Sequence, residues 1–308
     1  MSDSKAGRYG VAVGVDGSDQ GCMAVRYAAV EAERLRLPLD VVHVLPADVP
    51  VVTSRLSVPE ASLQRHGADI LAQAHQVASQ VSPTLEVRTH LRSGGRTREL
   101  LAVAERAELL VIGSRSPRTF DHVWTGGTVT GVASSASCPL VVVPADCQLS
   151  VTHDRIVVGV KIPGQARDLL EVGLRMAAER RAELVVVHAW RIEGVYDDII
   201  ADRTRAEQWE AEQSKLIEQE LGGLRQAFPG VEAHVFVRHE DPAHALVRVS
   251  CGADRLLIQR PPTGRWMHHL GRVARAVLRD ARCPVFVLPE LRVAPPSISH
   301  DHAETLVS

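Results

Sequence analysis

Residues 11–18 read VAVGVDGS, and residues 156–163 repeat this pattern as IVVGVKIP. Two other segments, LDVVHVLP and CPLVVVP, recur later in the chain as ELVVVHAW and CPVFVLP. Four anchor pairs share an offset of 145 residues: Gly14 and Gly159, His43 and His188, Gly126 and Gly271, and Cys138 and Cys283. Several matches at one offset indicate a duplicated structural unit. In a chain of 308 residues we therefore predict two copies of one domain, residues 1–147 and 152–290, and a flexible tail, 291–308.

Short runs rich in Val, Leu and Ile alternate in each copy with longer segments of helical period. In the first copy the pattern predicts strands near 10–15, 39–45, 84–91, 108–113 and 139–143, with helices near 19–36, 60–81, 96–106 and 127–136. Nearly continuous apolar strands such as VVHV and LVVV are typical of a parallel sheet with helices on both faces. Ligands bind such sheets beyond the carboxyl ends of the strands, so GVDGS and GSRSPRTF, which both follow strands, are predicted to lie at one edge.

The composition, 45% hydrophobic and 23% charged residues, is that of a soluble globular protein. No apolar run approaches the ~20 residues of a membrane-spanning helix, and the polar start MSDSKAGRYG lacks a secretory signal, so we expect a cytoplasmic protein without a membrane partner. A net charge of -2 with mixed signs argues against binding to nucleic acid.

The five cysteines include no C-x-x-C pair, and H-E-x-x-H, G-x-S-x-G and G-x-x-x-x-G-K-[ST] motifs are absent, so we predict neither a metal site nor catalytic residues.

The loop GSRSPRTFDHVWTGGT, Gly113 to Thr128, ends in a Gly-Gly-Thr turn that begins a predicted helix. Backbone N–H groups at such a turn, with the positive end of the helix dipole, can bind phosphate, but the same three residues also form an ordinary turn and helix cap. Asp16 has two interpretations as well, since its carboxylate could cap the following helix or accept hydrogen bonds from ribose hydroxyls or an adenine amine. The residues alone leave both questions open.

Together, these repeats and loops resemble the universal stress protein (UspA) family in its tandem form. The resemblance covers residues 9–144 and 155–289. It implies an α/β fold of two tandem UspA-like domains, each a five-stranded parallel sheet with helices on both faces. It also implies that residues 140–143 and 285–288, the last strands of the two sheets, pair antiparallel and make the chain an intrachain pseudo-dimer. A further homodimer through helical faces is left open.

The ATP-binding branch of this family carries the motif G-x-x-G, nine residues and then G-[S/T]. Gly113 matches the first glycine of the motif and Gly126 the third. Ser116 stands in place of the second glycine, and Gly127 in place of the serine or threonine. A one-residue insertion in the loop would restore the match as Gly127-Thr128.

By resemblance, the first domain binds ATP, with or without Mg, as its cofactor. Asp16 matches the residue that contacts the nucleotide after the first strand, and Val44 matches the position whose backbone meets adenine. The candidate binding residues implied by the resemblance are Gly14, Asp16, Val44, Gly113, Ser114, Arg115, Ser116, Gly126, Gly127 and Thr128.

The second copy keeps the framework but changes the positions expected to face a ligand. Lys161, Gln259 and Arg272 stand where the first copy has an aspartate and two glycines. The pair Pro261-Pro262 also removes two N–H donors from the loop. One explanation is drift in a copy kept for folding or pairing, and the other is that Lys161 and Arg272 attract a different anion.

We therefore predict a universal stress protein that binds ATP or another adenine nucleotide through its first domain. We expect it to act as a sensor or regulator in a stress response and not as an enzyme, since no residue resembles a general base aimed at water near the phosphates. Two alternatives stay open. One is a nucleotide-independent interaction or scaffold module of the same fold, and the other is a slow ATP hydrolase.

Overall fold

The computed structural model describes residues 8–46, 60–114, 126–191, 206–260 and 270–289 of the chain. Strands and helices alternate in the first copy, as the sequence predicts. They are β1 (Tyr9–Val15), α1 (Asp19–Leu35), β2 (Leu39–Leu45), α2 (Glu60–Val81), β3 (Val87–Ser93), α3 (Arg96–Ala104), β4 (Ala107–Gly113), α4 (Gly126–Ser135) and β5 (Leu140–Val143).

The second copy repeats the same order of elements. They are β6 (Arg155–Gly159), α5 (Arg167–Arg180), β7 (Glu183–Trp190), α6 (Ala206–Arg225), β8 (Ala233–His239), α7 (Pro242–Ser250), β9 (Arg255–Gln259), α8 (Arg272–Asp280) and β10 (Val285–Leu288). The chain is therefore an α/β protein with two tandem domains, which confirms the predicted fold class.

The third strand, predicted near 84–91, begins three residues later than expected. A turn in which the Leu85 N–H donates to the Ser82 carbonyl at 3.2 Å holds the chain just before it. β3 lies at one end of the sheet, and most of its side chains are partly or fully exposed. The apolar pattern that marks the inner strands is therefore absent where β3 begins.

The ten described strands form one sheet in the order β3-β2-β1-β4-β5-β10-β9-β6-β7-β8. Neighbouring strands are parallel within each copy, whereas β5 and β10 are antiparallel, with Val141 opposite Phe286 and Val142 opposite Val285. This register confirms the predicted pairing of the two last strands. In separate domains both strands would be edges with unpaired backbone groups, and the pairing satisfies those groups inside one chain.

Helices cover both faces of the sheet. On one face, Val11 and Val13 of β1 share a buried core with residues of α1 and α2, such as Ala28. On the other face, Ala12 shares a second core with Leu100 of α3 and with α4. The alternation along β1 thus sends successive side chains into two cores, because a strand has a period of two residues. Within the described ranges, no helix has the length and apolar character needed to cross a membrane.

A buried carboxylate of α1 joins the two copies. The Glu31 side chain is only 1% exposed and pairs with Arg255 of β9, which is 3% exposed, and with Arg180 of α5 at 2.7 Å. Arg34, one turn further along α1, adds a third guanidinium at 3.2 Å. Burying a charge is costly unless it is paired, so this cluster fixes how α1 of the first domain lies against the second domain.

Helices α1 and α5 meet at equivalent positions. Arg34 of α1 pairs with Glu179 of α5, and the two residues are 145 positions apart, which is the repeat offset. The two helices also end in the same way, since left-handed residues, Arg36 and Arg181, both with φ 56°, cap their C-terminal ends. The contact between domains is therefore one between like surfaces, as in a two-fold dimer.

We expect that replacing Glu31 with glutamine destabilises the protein by about 3–5 kcal/mol, because Arg255 would then be a buried cation without a counter-charge. Equilibrium urea unfolding measures the change in the free energy of unfolding. The matched control is Glu86→Gln, which removes the acid of an exposed pair with Arg88 and should cost about 0–1 kcal/mol. Equal effects of the two substitutions would contradict this role for Glu31.

Candidate functional site

A cleft opens at the carboxyl edge of the strands of the first domain. Five of the predicted binding residues line it: Gly14, Asp16, Val44, Gly113 and Thr128. The other lining residues that the structure describes are Val15, Ser18, Gln20, Gly21, Val42, Arg96, Leu100, Ile112 and Val129. Residues from β1, β2 and β4 and from α1, α3 and α4 therefore meet at this edge.

The strand order creates this cleft. The chain runs from β1 outward to β2 and β3 and then returns to β4 on the other side of β1. The connections after β1 and β4 therefore leave the sheet in opposite directions, and a crevice forms between them. Gly14 lies at this point, between Val42 of β2 and Ile112 of β4.

The cleft combines an apolar lining with exposed polar groups. Its buried apolar residues are Val42, Val44, Leu100 and Ile112. Asp16 and Arg96, which also line it, are exposed and carry opposite charges. Such a combination suits a ligand that has an apolar ring system and a charged remainder.

Asp16 orients the start of α1 through Ser18. Its Oδ1 accepts hydrogen bonds from the Ser18 N–H at 3.1 Å and the Ser18 hydroxyl at 2.5 Å. The Ser18 hydroxyl oxygen in turn accepts from the Gly21 N–H at 3.2 Å and caps the helix. Ser18 rather than Asp16 is therefore the helix cap, and Asp16 presents its carboxylate at the cleft.

Gly113 is required by the packing of α1. A Cβ at this position would lie 2.7 Å from the Gln20 carbonyl oxygen, so any side chain would push the first turn of α1 away from β4. Gly14 is also close to its neighbours, since a Cβ there would lie 3.1 Å from Leu100 Cδ2. Both glycines thus bring helices close to the strand ends, and this close approach shapes the cleft.

The other predicted residues do not belong to the described lining. Ser114 is buried, and its N–H donates to the last carbonyl of β5 at 2.9 Å, so this donor is already used. Gly126 and Gly127 are in the first turn of α4, where a Cβ on Gly127 would meet nothing within 4 Å. Arg115 and Ser116 lie outside the described residues.

His43 and His188 hold the two domains' first strands in the same way. His43 Nδ1 donates to the Val15 carbonyl at 2.8 Å, and His188 Nδ1 donates to the Val160 carbonyl at 2.9 Å. Burial lowers the pKa of His188, which keeps its ring neutral. Both histidines are therefore bonded to backbone at strand ends, and in the first domain this bond fixes one side of the cleft.

Arg96 is a lining residue that the sequence reasoning missed. It is the first residue of α3 and follows the pair Gly94-Gly95, in which Gly94 has φ 150°. The available signal was the segment SGGRTRE, a glycine-rich turn that opens a helix after a strand. A similar glycine-rich segment, Gly-Gly-Thr, lies at the start of α4, and there the sequence did predict a binding site.

In the second domain, a side chain of the protein accepts hydrogen bonds from the N–H groups at the start of the first helix. α5 begins at Arg167, three residues later than the 145-residue offset from α1 would place it. The N–H groups of Gly164, Ala166 and Arg167 donate to one carboxylate at 2.9 to 3.2 Å. That carboxylate belongs to Glu220 of α6. In the first domain, α2 presents the apolar Ile70 to the start of α1 instead.

The other substitutions in the second domain agree with this change. β9 ends at Gln259, which occupies the position of Gly113 at the end of β4. In the first domain, the first turn of α1 would contact a side chain at this position. Because α5 starts later, the second domain has no such turn against Gln259. Arg272, the first residue of α8, pairs with Asp241 at 3.1 Å. Lys161 is exposed. The hypothesis that Lys161 and Arg272 attract a foreign anion is weakened, because the charge of Arg272 is already matched.

The described residues offer little metal or thiol chemistry. Within the described ranges, no group of three or more His, Cys, Asp or Glu side chains is placed to hold a metal ion. The cysteines are free thiols, and burial raises the pKa of Cys138 and of Cys147 to about 11. Neither thiol is therefore ionised near neutral pH, and reactivity depends on the thiolate.

Comparison with known proteins finds members of one family that match nearly the whole chain. The family model described as "Universal stress protein family" matches residues 10–144 and 152–289. A universal stress protein of Mycolicibacterium smegmatis is 29% identical over 92% of this chain and 98% of its own length, and one of Mycobacterium tuberculosis is 29% identical over 91% and 97%. The crystal structure of a universal stress protein from Archaeoglobus fulgidus has a TM-score of 0.65 at 18% identity, covering 91% of this chain and 98% of that one.

We expect Gly113→Ala and Gly127→Ala to differ sharply in their effect on stability. The first places a Cβ against the Gln20 carbonyl and should cost about 1–3 kcal/mol, as overpacking does. The second places a Cβ in open space and should cost nothing, since alanine favours a helix by about 0.5–1 kcal/mol over glycine. Urea unfolding of both variants measures the difference. Equal stability of the two variants would show that Gly113 does not hold α1 against β4.

Proposed function

Because the chain belongs to the universal stress protein family, we propose that its first domain binds one adenine nucleotide per chain, with ATP as the expected ligand. The observation that carries this proposal is the cleft at the carboxyl edge of β1, β2 and β4. Gly14, Asp16, Val44, Gly113 and Thr128 come together there from segments that are far apart in the sequence.

The lining suggests a role for each part of the ligand. Val42, Val44 and Ile112 supply apolar surface for the adenine ring. Asp16 can accept hydrogen bonds from ribose hydroxyls or the adenine amine. Thr128 lies in the first turn of α4, where the helix dipole and the N–H groups favour phosphate.

Two features support a single nucleotide per chain. Glu220 already accepts the N–H groups at the start of α5, so an anion there would have to displace a carboxylate that is part of the fold. Gln259 stands at the end of β9, where the first domain has a glycine. The second domain is proposed to serve pairing and folding, with the first as the ligand-binding unit.

We further propose that the protein is a cytoplasmic sensor or regulator and not an enzyme. The described lining of the cleft supplies one acid, Asp16, and no histidine, lysine or cysteine. Asp16 is engaged with Ser18, which suits a binding residue better than a general base aimed at water. A protein that binds a nucleotide without hydrolysing it can sense the nucleotide concentration, because the fraction of occupied clefts follows that concentration.

We expect isothermal titration calorimetry with ATP to give one site per chain. Asp16→Ala should weaken binding roughly 5- to 150-fold, because it removes a polar contact of about 1–3 kcal/mol. Lys161→Ala changes the matching position of the second domain and should leave affinity unchanged. The same samples, assayed for phosphate release, should show no turnover above background.

Each alternative predicts a different result. Absence of binding by the unaltered protein would favour a nucleotide-independent interaction module. A stoichiometry near two, or tight binding that survives Asp16→Ala, would contradict binding through the first domain alone. Phosphate release that disappears when a cleft residue is changed would favour a slow ATP hydrolase.

A further inference from the structure

Arg96 projects a positive charge at the cleft from the beginning of α3. The residue is exposed and lines the cleft together with Thr128 of α4. Leu100, four residues later, is buried and lines the cleft as well. Residues four apart share one face of a helix, so the face of α3 that carries Arg96 is the face turned toward the cleft.

The beginning of α3 lies against α4. A Cβ on Gly131, in the second turn of α4, would be 2.8 Å from Thr97 Cγ2 in the first turn of α3. Arg96 at the start of α3 and Thr128 at the start of α4 line the same cleft, so both helices direct the positive ends of their dipoles into it. Arg96 adds a full charge beside them.

No carboxylate of the described chain neutralises Arg96. The acid nearest to it along α3 is Glu99, and Glu99 Oε2 accepts a hydrogen bond from Arg92 Nε of β3 at 2.8 Å. The Arg96 side chain has neither a hydrogen bond nor an ion pair with another described residue. Gly95, the residue that caps α3, has no side chain that could accept from the helix.

The second domain has an internal carboxylate at the equivalent point. Asp241 caps α7 by accepting from the N–H groups of Ala243 at 2.9 Å and His244 at 3.2 Å. Its other oxygen pairs with Arg272 at the start of α8, 3.1 Å away. Partial burial by itself would raise the pKa of Asp241, but these donors outweigh it and lower that pKa, so the carboxylate is charged.

The first domain keeps the helix start but lacks this acid, since Gly95 and Arg96 stand where the second domain has Asp241 and Pro242. Its arginine starts α3, whereas Arg272 of the second domain starts α8. We infer that Arg96 binds a phosphate group of the ligand and thereby makes the cleft select phosphorylated adenine nucleotides over adenosine. This inference rests on the adenine-nucleotide binding proposed above. The ligand phosphate takes the place that the Asp241 carboxylate fills in the second domain.

The chemistry of the guanidinium fits this assignment. Its planar fork can donate two parallel hydrogen bonds to one phosphate group, and such charge-assisted bonds are stronger than neutral ones. The neighbouring N–H groups at the start of α3 can donate to the same group. Adenosine has no anionic group for either set of donors, whereas AMP, ADP and ATP each carry phosphate.

The test compares ATP, ADP, AMP and adenosine by titration calorimetry on the unaltered chain and on Arg96→Gln. We expect the substitution to lower ATP affinity roughly 10- to 150-fold, as the loss of a hydrogen bond to a charged group predicts, and to change adenosine affinity less than about twofold. Arg98→Gln is the matched control, because Arg98 is exposed on the same helix but does not line the cleft. That variant should bind all four ligands like the unaltered chain.

The outcomes separate this inference from the proposal on which it rests. If Arg96→Gln preserves the ratio of ATP to adenosine affinity, or lowers both equally, phosphate selection by Arg96 is wrong while nucleotide binding stands. An equal loss in Arg98→Gln would show only a general effect of charge and would also overturn the inference. If the unaltered chain binds none of the four ligands, nucleotide binding itself fails, and the inference fails with it.

Discussion

The antiparallel pairing of β5 with β10 is the constraint on which the rest of the structure depends. Each five-stranded half would otherwise end in an apolar strand with unpaired backbone groups, which is a site for aggregation. Pairing the two ends inside one chain makes a continuous ten-stranded sheet and brings α1 of one domain against α5 of the other. Glu31 then becomes buried, and Arg180 and Arg255 of the second domain become its obligatory partners. The second domain thus extends the sheet of the first and supplies the counter-charges of its buried Glu31.

The two domains share one framework but differ at the carboxyl edge of the sheet, where the strands end. The sheet order, the backbone-bonded histidines and the left-handed C-terminal caps of α1 and α5 are the same in both domains. At the carboxyl edge, the second domain places Glu220 and Asp241 at the starts of helices, where each satisfies N–H donors that have no partner within the helix. The first domain instead has glycines, Ser18 and Arg96 around an open cleft. In our proposal, a ligand phosphate meets in the first domain the electrostatic requirement that these carboxylates meet in the second.

Much of the fold could be predicted from the sequence, because its signals are local or repeated. Apolar runs and helical periods predicted the described elements of the first domain within a few residues, apart from the exposed edge strand β3. The repeat offset led to the family resemblance, and that resemblance implied the β5–β10 pairing that the register of Val142 and Val285 confirms. In the cleft, the predicted residues Asp16, Val44 and Thr128 are brought together because their segments end or follow strands of one parallel sheet.

Other features were decided only by the tertiary structure. Gly113 reads in the sequence as part of a phosphate motif, yet the Gln20 carbonyl lies where its side chain would be, and only the packing of α1 against β4 shows this. Glu220 meets the start of α5 across more than fifty residues of chain, so no local pattern marks it. Arg96 is one of many surface arginines until α3 is placed beside α4. The sequence by itself determined the period and order of the elements, because these depend on neighbouring residues. Which side chains face one another at the edge depends on strand order and helix placement, and these exist only once the sheet has formed.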